Sequence, residues 1–596
     1  MKNNNIVRLF PGTVIGLALL LATAEVQAAP VTVGSAGNEP IVTIAPDGTL
    51  YISALQHLYR STDSGATWAN LPGPIYASTL NLNSDSSISV DPGNRLYFTF
   101  DYPYAGTTAV CTSDDHGDTF ACNPAVVPGG TDRMWVVAPT NTAAYEVTNQ
   151  GLYQTAFLTS TDRGQTFVPT ELGSGLLEPQ TGPLLQIPCS SQVLQPIKVF
   201  GTAPSDVPEL KMYVFAPGAM APIAEVRGTG LPLSAALPSA AFGLDGALYT
   251  VTEDVNPAGG REVIVGRSFD AGRSWTKLPP VTNTTTGTAT FTSVAAGAPG
   301  HVGVIYYYTQ DNGDPSTLTT STWAAMWAES YNADSTAPAW NITTLQDAIH
   351  TGAICVAASC SGTDRFSGDF ITAMIDRTGT AHLTWVKDNG NGTTAIQYEK
   401  IQSAPPSSYV SIPCGLSVVS RKTHGNAGAF DIDLPSLGPH GVECRSGGPS
   451  GNHTVVFTFA ESLTSVGGAT VTSGTGNVSS SQIGSDPHQY IVNLSGVADG
   501  QTITVALTNT SDATGTSTSL ISASMDVLLG DSNGDLSVNS ADAQQTRNRS
   551  GQLVDTTNFR SDVNVDGVVN SADATVVRRQ SGHAPARTAA PVASDQ

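Results

Sequence analysis

Two stretches near the end of this chain set oxygen-bearing side chains at a spacing that suits a single ion. Asp531, Asn533, Asp535 and Asp542 stand at positions 1, 3, 5 and 12 of a twelve-residue loop, with the carbonyl of Ser537 at position 7. Asp562, Asn564, Asp566 and Asp573, with the carbonyl of Val568, repeat the set after 31 residues, and both loops end in Asn-Ser-Ala-Asp. A hard cation such as Ca²⁺ takes six to eight oxygens, so the pattern predicts two calcium ions, one in each loop. Residues 530–534 spell the G-x-S-x-G elbow of hydrolases, but they lie inside the first loop and not between a buried strand and a helix. Ser532 is therefore not read as a nucleophile.

A second set of candidates lies earlier. Asp132-Arg133-Met134-Trp135 and Asp364-Arg365-Phe366-Ser367-Gly368-Asp369-Phe370 each put an Asp-Arg pair in front of an apolar strand. Asp132, Arg133, Arg365 and Asp369 are the candidate catalytic or ligand-binding residues; the competing use of such pairs is to lock neighbouring structural units together. The histidines show no H-E-x-x-H arrangement and the cysteines no C-x-x-C, which argues against a zinc or dithiol centre.

These residues need a scaffold, and its composition points to β-structure. The 596 residues include 59 Gly and 37 Pro, and 40% are hydrophobic, enough for several cores joined by tight turns. With 49 acidic against 26 basic residues the net charge is -23, and without a dense basic face neither nucleic acid nor an anionic membrane is an expected partner. Lys2 and Arg8 precede a short apolar run and Val26-Gln27-Ala28, which reads as a secretory leader over 1–28. No later segment is apolar for long enough to span a bilayer. A secreted or cell-surface chain favours disulfides: Cys111 with Cys122, Cys355 with Cys360 and Cys414 with Cys444 are expected to pair, leaving Cys189.

An octet, Ser-x-Asp-x-Gly-x-Thr/Ser-aromatic, recurs at 61–68, 113–120, 160–167 and 268–275. Its Asp can accept turn N–H groups, its Gly supplies a positive φ, and its aromatic returns to the core. Upstream of the octets run phrases such as Asp47-Gly48-Thr49-Leu50-Tyr51 and Asp245-Gly246-Ala247-Leu248-Tyr249, with weaker copies ending at Tyr145, Val304 and His382. Six copies, plus room for a degenerate unit around 189–216, predict a β-propeller of seven blades, with six as the alternative. Residues 30–405 resemble the sialidase-like Asp-box (bacterial neuraminidase repeat) propellers. That resemblance implies a channel mouth acting on or binding an extracellular glycan or glycoprotein. A sialidase of that class would bring an arginine triad, a Tyr–Glu pair and an Asp acid/base, and its early Phe/Tyr-Arg-Ile-Pro phrase is missing here. The implied function is either a glycoside hydrolase or a non-catalytic binding propeller.

From 412 the periodicity changes. Runs such as Thr454-Val455-Val456-Phe457-Thr458-Phe459 predict an immunoglobulin-like β-sandwich of about seven strands over 412–528. Residues 529–582 resemble a type I dockerin, a small helical module with two EF-hand-like loops, which implies a cohesin-like protein partner. Two departures are Leu536 in place of Gly at position 6 of the first loop and Ala541 and Ala572 at position 11. Residues 583–596 are expected to form a disordered tail.

Overall fold

The computed structural model describes residues 29–584 except 36, 56, 73–84, 103–106, 126–130, 151–153, 173–176, 188–191, 201–208, 217–218, 220–221, 223, 229–237, 245, 269–271, 273–274, 282–285, 336, 356–364, 403–415, 435–439 and 514–516. The expected leader, Cys189, Cys360, Cys414 and Asp364 lie outside the described residues.

Among these, seven antiparallel units follow one another: 40–71, 86–125, 131–172, 177–228, 239–277, 288–351, and 372–402 joined by Val31–Gly34. We number them as blades one to seven. The N-terminal strand Val31–Gly34 pairs with Thr394–Gln402 as the outermost strand of the last blade, so the two ends of the ring are hydrogen-bonded to each other. Blade four, expected from spacing alone, is built around Val193–Phe200 and Glu209–Phe215.

Second strands of the blades are covered on both faces, because each blade stacks on two neighbours. Leu50–Ala54 is buried throughout, and Tyr51, Tyr97, Tyr145 and Tyr249 are at most 1% exposed. Innermost strands do not ladder with one another, and their free N–H groups find hydroxyls next door. Val42 N donates to Thr372 Oγ1 (3.2 Å), Val136 N to Ser87 Oγ (3.2 Å) and Val294 N to Ser239 Oγ (3.1 Å).

The octets are hairpin turns that also peg one blade to the last. In the first, the Ser61 hydroxyl donates to Asp63 Oδ1 (2.8 Å) and accepts the Gly65 N–H (2.9 Å). Asp63 takes the Thr67 N–H (2.9 Å) and hydroxyl (2.6 Å). The octets at 113–120 and 160–167 repeat these bonds. Gly65 has φ +88°, and a Cβ there would lie 2.2 Å from the Tyr398 ring of the preceding blade; at Gly164 it would meet Tyr97 of the preceding blade at 2.8 Å. Trp68 lies edge-on to the same Tyr398, with centroids 5.0 Å apart.

Cys111 and Cys122 form a disulfide, as expected across this hairpin. Cys355 is disulfide-bonded too, to a cysteine outside the described residues. Cys444 corrects the expected pairing with Cys414. It is a free thiol, fully buried where the later domains meet, with its Sγ 3.6 Å from the Arg560 carbonyl and its pKa pushed up to about 11 by burial.

Residues 417–527 form two five-stranded sheets sharing one core, in which Val455, Phe457 and Val492 of one sheet meet Ile503, Val505 and Met525 of the other. Ten strands appear among the described residues where about seven were expected, because Gly428–Asp433, Gly468–Ser473 and Asn477–Ile483 are largely exposed and carry little apolar alternation. Two helices close the described chain, α1 (Ser540–Asn548) and α2 (Ser571–Arg579). His583, assigned to the tail, is tied down: its N–H donates to the Gln580 carbonyl (3.0 Å) and its carbonyl accepts from Val538 N (3.0 Å).

Two predictions follow from blade packing. Gly65→Ala should lower the propeller's stability by about 1–3 kcal/mol through overpacking and an unfavourable φ, read as a lower thermal midpoint; an unchanged midpoint would show that the octets do not peg the blades. The second concerns Glu146, fully buried between blades two and three, where it accepts from the Thr99 (2.6 Å) and Thr108 (2.5 Å) hydroxyls. Burial lifts its pKa to about 7 against those two bonds. A folded pKa above the unfolded one means stability that is full below the unfolded value and lost as pH rises through about 7. Glu146→Gln should flatten the melting profile between the ordinary glutamate range and neutrality.

Candidate functional site

Each innermost strand starts at the same end of the ring, so the residues just before or at these starts form a rim. Glu39 precedes Pro40–Ile44, Asp85 precedes Ser86–Val90, Arg133 sits in Thr131–Val137, and Asp369 precedes Thr372–Ile375. They come from blades one, two, three and seven, which are consecutive once the ring closes. Arg133 donates to Asp369 Oδ2 from NH2 (2.9 Å) and Nε (3.3 Å), and Arg365 reaches the other oxygen, Oδ1, at 2.5 Å. The Arg133 N–H donates to Asp85 Oδ2 (2.9 Å), and the Asp369 N–H to Glu39 Oε1 (2.8 Å).

Backbone geometry aims these groups. Arg133 and Glu39 both have φ +55°, and the register slips between Asp132 and Trp135, as at a bulge that turns a side chain off its usual face. Gly368 has φ +74°, and a Cβ there would strike Glu39 Oε1 at 2.3 Å, so the chain can cross the carboxyl only as glycine.

Glu39 is 4% exposed, and burial, reinforced by the Asp85 and Asp369 carboxylates, holds its pKa well above the usual range. It stands in a rim of two arginines and two other carboxylates.

Beneath the rim, Trp135 and Phe370 pack with centroids 4.8 Å apart. They line a small cavity of about 20 Å³, room for about one water, with Phe291, Pro183, Pro238, Ser239 and Ser293. It continues into an axial channel of about 230 Å³ lined by residues of all seven blades.

Of the sequence candidates, Arg133, Arg365 and Asp369 come together; Asp132 lies on the same strand with its side chain outside the described residues. The contact is not a lock between two adjacent blades, because Arg133 and Asp369 belong to blades three and seven. Sequence reasoning missed Glu39 and Asp85. The available signal was positional: both stand immediately before an innermost strand.

The first C-terminal loop converges as its spacing requires. Carboxylate oxygens of Asp531, Asp535 and Asp542 lie within 4.8 Å of one another. Burial, with the charges of Asp542 and Asp535, raises the pKa of Asp531, and burial with Asp562 and Asp566 does the same for Asp573. Buried carboxylates that repel one another are what a bound cation would relieve, so these residues fit calcium.

The repeated Asn-Ser-Ala-Asp has a second cause. Asn539 caps α1 and Asn570 caps α2, each accepting the N–H two residues on at 2.7 Å, while Asp542 and Asp573 accept the cap N–H at 2.9 Å. The residue that closes each loop is thus held by the helix it starts. Asp542 Oδ1 also takes Asn533 N (3.1 Å), and Asp573 Oδ1 takes Asn564 N (3.2 Å).

Residues 529–580 match the dockerin type I domain. Dockerin type I domains bind calcium, and dockerins bind cohesins. The sequence as a whole has no significant match among curated proteins. Similar solved structures include YCF48 bound to D1 peptide, with 13% identity, 62% of this chain and 95% of that chain covered, and TM-score 0.37. Phage phi92 endosialidase shows 13% identity over 69% of this chain and 73% of that chain, TM-score 0.35. A leech intramolecular trans-sialidase complexed with 2,7-anhydro-Neu5Ac shows 12% identity over 63% and 70%, TM-score 0.33. The seven-bladed ring rests on the strand pairing above and not on these likenesses.

Calcium bound only by the folded loops must stabilise them by mass action. In calorimetry of the full chain, a transition assigned to the C-terminal module should move up with free Ca²⁺ and down in chelator, while the propeller transition stays. Asp542→Ala with Asp573→Ala should abolish the shift; a shift that survives both would refute the ligand assignment.

Proposed function

We propose that this is an exported protein held to a cohesin-type receptor by its calcium-loaded dockerin module, and that its propeller binds an extracellular glycan or glycoprotein at the channel mouth without hydrolysing it. One observation carries the non-hydrolytic half. Arg133 and Arg365 both close on a single internal carboxylate, Asp369, so a ligand carboxylate meets guanidiniums whose donors are already engaged within the rim. A sialidase-type clamp needs its arginines turned to the substrate. The disulfide at Cys111 supports export, since such bonds persist in oxidising compartments. The axial channel, about 230 Å³ with apolar walls and the Ser87, Ser239 and Ser293 side chains, offers partners for C–H groups and hydroxyls together, which suits a sugar.

A hydrolytic reading is favoured by one feature, the raised pKa of Glu39, buried beside Asp85 and Asp369. A carboxylic acid kept neutral next to a carboxylate is how glycosidases arrange proton donor and partner.

A glycan array read beside a panel of fluorogenic glycosides, sialosides included, separates the two. Binding without turnover, unchanged in Glu39→Gln, is expected. Turnover that collapses in Glu39→Gln would establish the hydrolase instead, and failure to bind any glycan or glycoprotein would sink the binding role.

A further inference from the structure

The two calcium loops are near copies in sequence but not in surroundings. The second is covered by the two-sheet domain. Gly425 N donates to the Val565 carbonyl (3.1 Å) and Ser446 N to the Val563 carbonyl (2.7 Å), both inside the loop. Phe559, just before the loop, stacks on Phe430 with centroids 5.4 Å apart and lies under the Arg445 guanidinium, also at 5.4 Å. Most directly, His424 Nδ1 is 2.9 Å from Asp562 Oδ2, with both side chains fully buried. Asp562 is position 1 of the loop. The corresponding Asp531 of the first loop receives its side-chain bonds from the loop itself, from Gly534, Asp535 and Leu536 N–H groups.

The chemistry of His424 is fixed by its other nitrogen. Nε2 faces Arg445 NH1 at 3.3 Å, and a guanidinium can only donate, so Nε2 accepts and Nδ1 carries the proton it donates to Asp562. Arg445 is held in turn by Glu443, through Nε (2.8 Å) and NH2 (2.7 Å), and by the carbonyls of Phe430 (2.8 Å) and Ser420 (2.9 Å). Glu443 also takes the Ser420 hydroxyl. A buried line of bonds thus runs from the core of the two-sheet domain, through Glu443, Arg445 and His424, to the first carboxylate of the second loop.

The one conspicuous sequence difference between the loops has the same origin. Position 6 is Leu536 in the first and Gly567 in the second, and both have positive φ, +67° and +92°. Conformation alone therefore does not demand glycine. A Cβ on Gly567, however, would lie 2.9 Å from the His424 carbonyl, and one on Gly425 would lie 2.2 Å from the Asp566 carbonyl. Glycine stands at 567 because another domain passes over it.

We propose that the second calcium site is shared: His424 of the two-sheet domain positions Asp562, so calcium in this loop fastens the dockerin module to that domain, while the first loop binds its ion within the dockerin module. His424 is a positioning residue and not a ligand. Groups of this kind that orient metal-bound side chains typically change affinity by ~10–100-fold when removed. The module would then be held as a rigid extension of the chain, with the first loop and α1 left as the face that this contact does not use.

The test uses the full chain with Ca²⁺ alone as probe, by isothermal calorimetry, in two backgrounds. Asp542→Ala leaves only the second loop intact, and Asp573→Ala only the first. In the Asp542→Ala background, His424→Ala should weaken the remaining site about ten-fold or more, Gly567→Leu should do likewise by pushing the domains apart, and His424→Asn, which keeps a donor where Nδ1 stood, should restore it. In the Asp573→Ala background all three should leave the remaining site unchanged, which also shows that the chain is folded. Equal loss in both backgrounds, or no loss in either, would overturn the proposal. Absence of calcium binding in the parent chain would overturn the calcium reading itself, and with it the shared site.

Discussion

Ring closure is the constraint on which the propeller and its mouth depend. Each blade exposes two faces that cannot be buried alone, and a ring leaves no face uncovered only if the first and last blades meet. Here the meeting is covalently distant and physically direct: Val31 pairs with Tyr398 and Thr32 with Gln397. Bringing such remote segments together costs chain entropy that grows only slowly with loop length, and it is offset by the apolar interfaces between blades. The rim is a consequence. Glu39 and Asp369 are 330 residues apart, Arg133 and Asp369 are 236 apart, and neither contact exists unless the ring is shut.

This separation explains what the sequence showed and what it hid. The octets are local devices: each closes its bonds within four residues, so type and spacing reveal it. Their second job, seating glycine against the preceding blade, is visible only in three dimensions. The four-strand period was legible wherever the strands carry alternating apolar residues, and blade four, which has no octet, was placed by the space left between its neighbours. Arg133, Arg365 and Asp369 could be singled out as Asp-Arg phrases, yet their convergence could not, and Glu39 and Asp85 carry no local signature. Cys444 was misassigned because pairing by domain ignores what covers each sulfur; this one is sealed under Arg560.

The C-terminal module was the most legible part because its chemistry is local. Asp542 and Asp573 serve two requirements at once, closing an oxygen cage and completing the cap of a helix, which explains a repeated tetrapeptide better than either alone. What the repeat concealed is asymmetry. Glycine at 567 records that the backbone of another domain passes over position 6 of the second loop.

The mouth turns on whether Arg133 and Asp369 hold each other across the rim. A double-mutant cycle of Arg133→Ala and Asp369→Ala, read by denaturant unfolding of the full chain, isolates that coupling. A favourable interaction of about 1–3 kcal/mol, with each single variant less stable than the parent, is the predicted result. Strictly additive effects would mean that the guanidinium is not committed to Asp369, and would contradict the engaged arginines on which the non-hydrolytic reading stands.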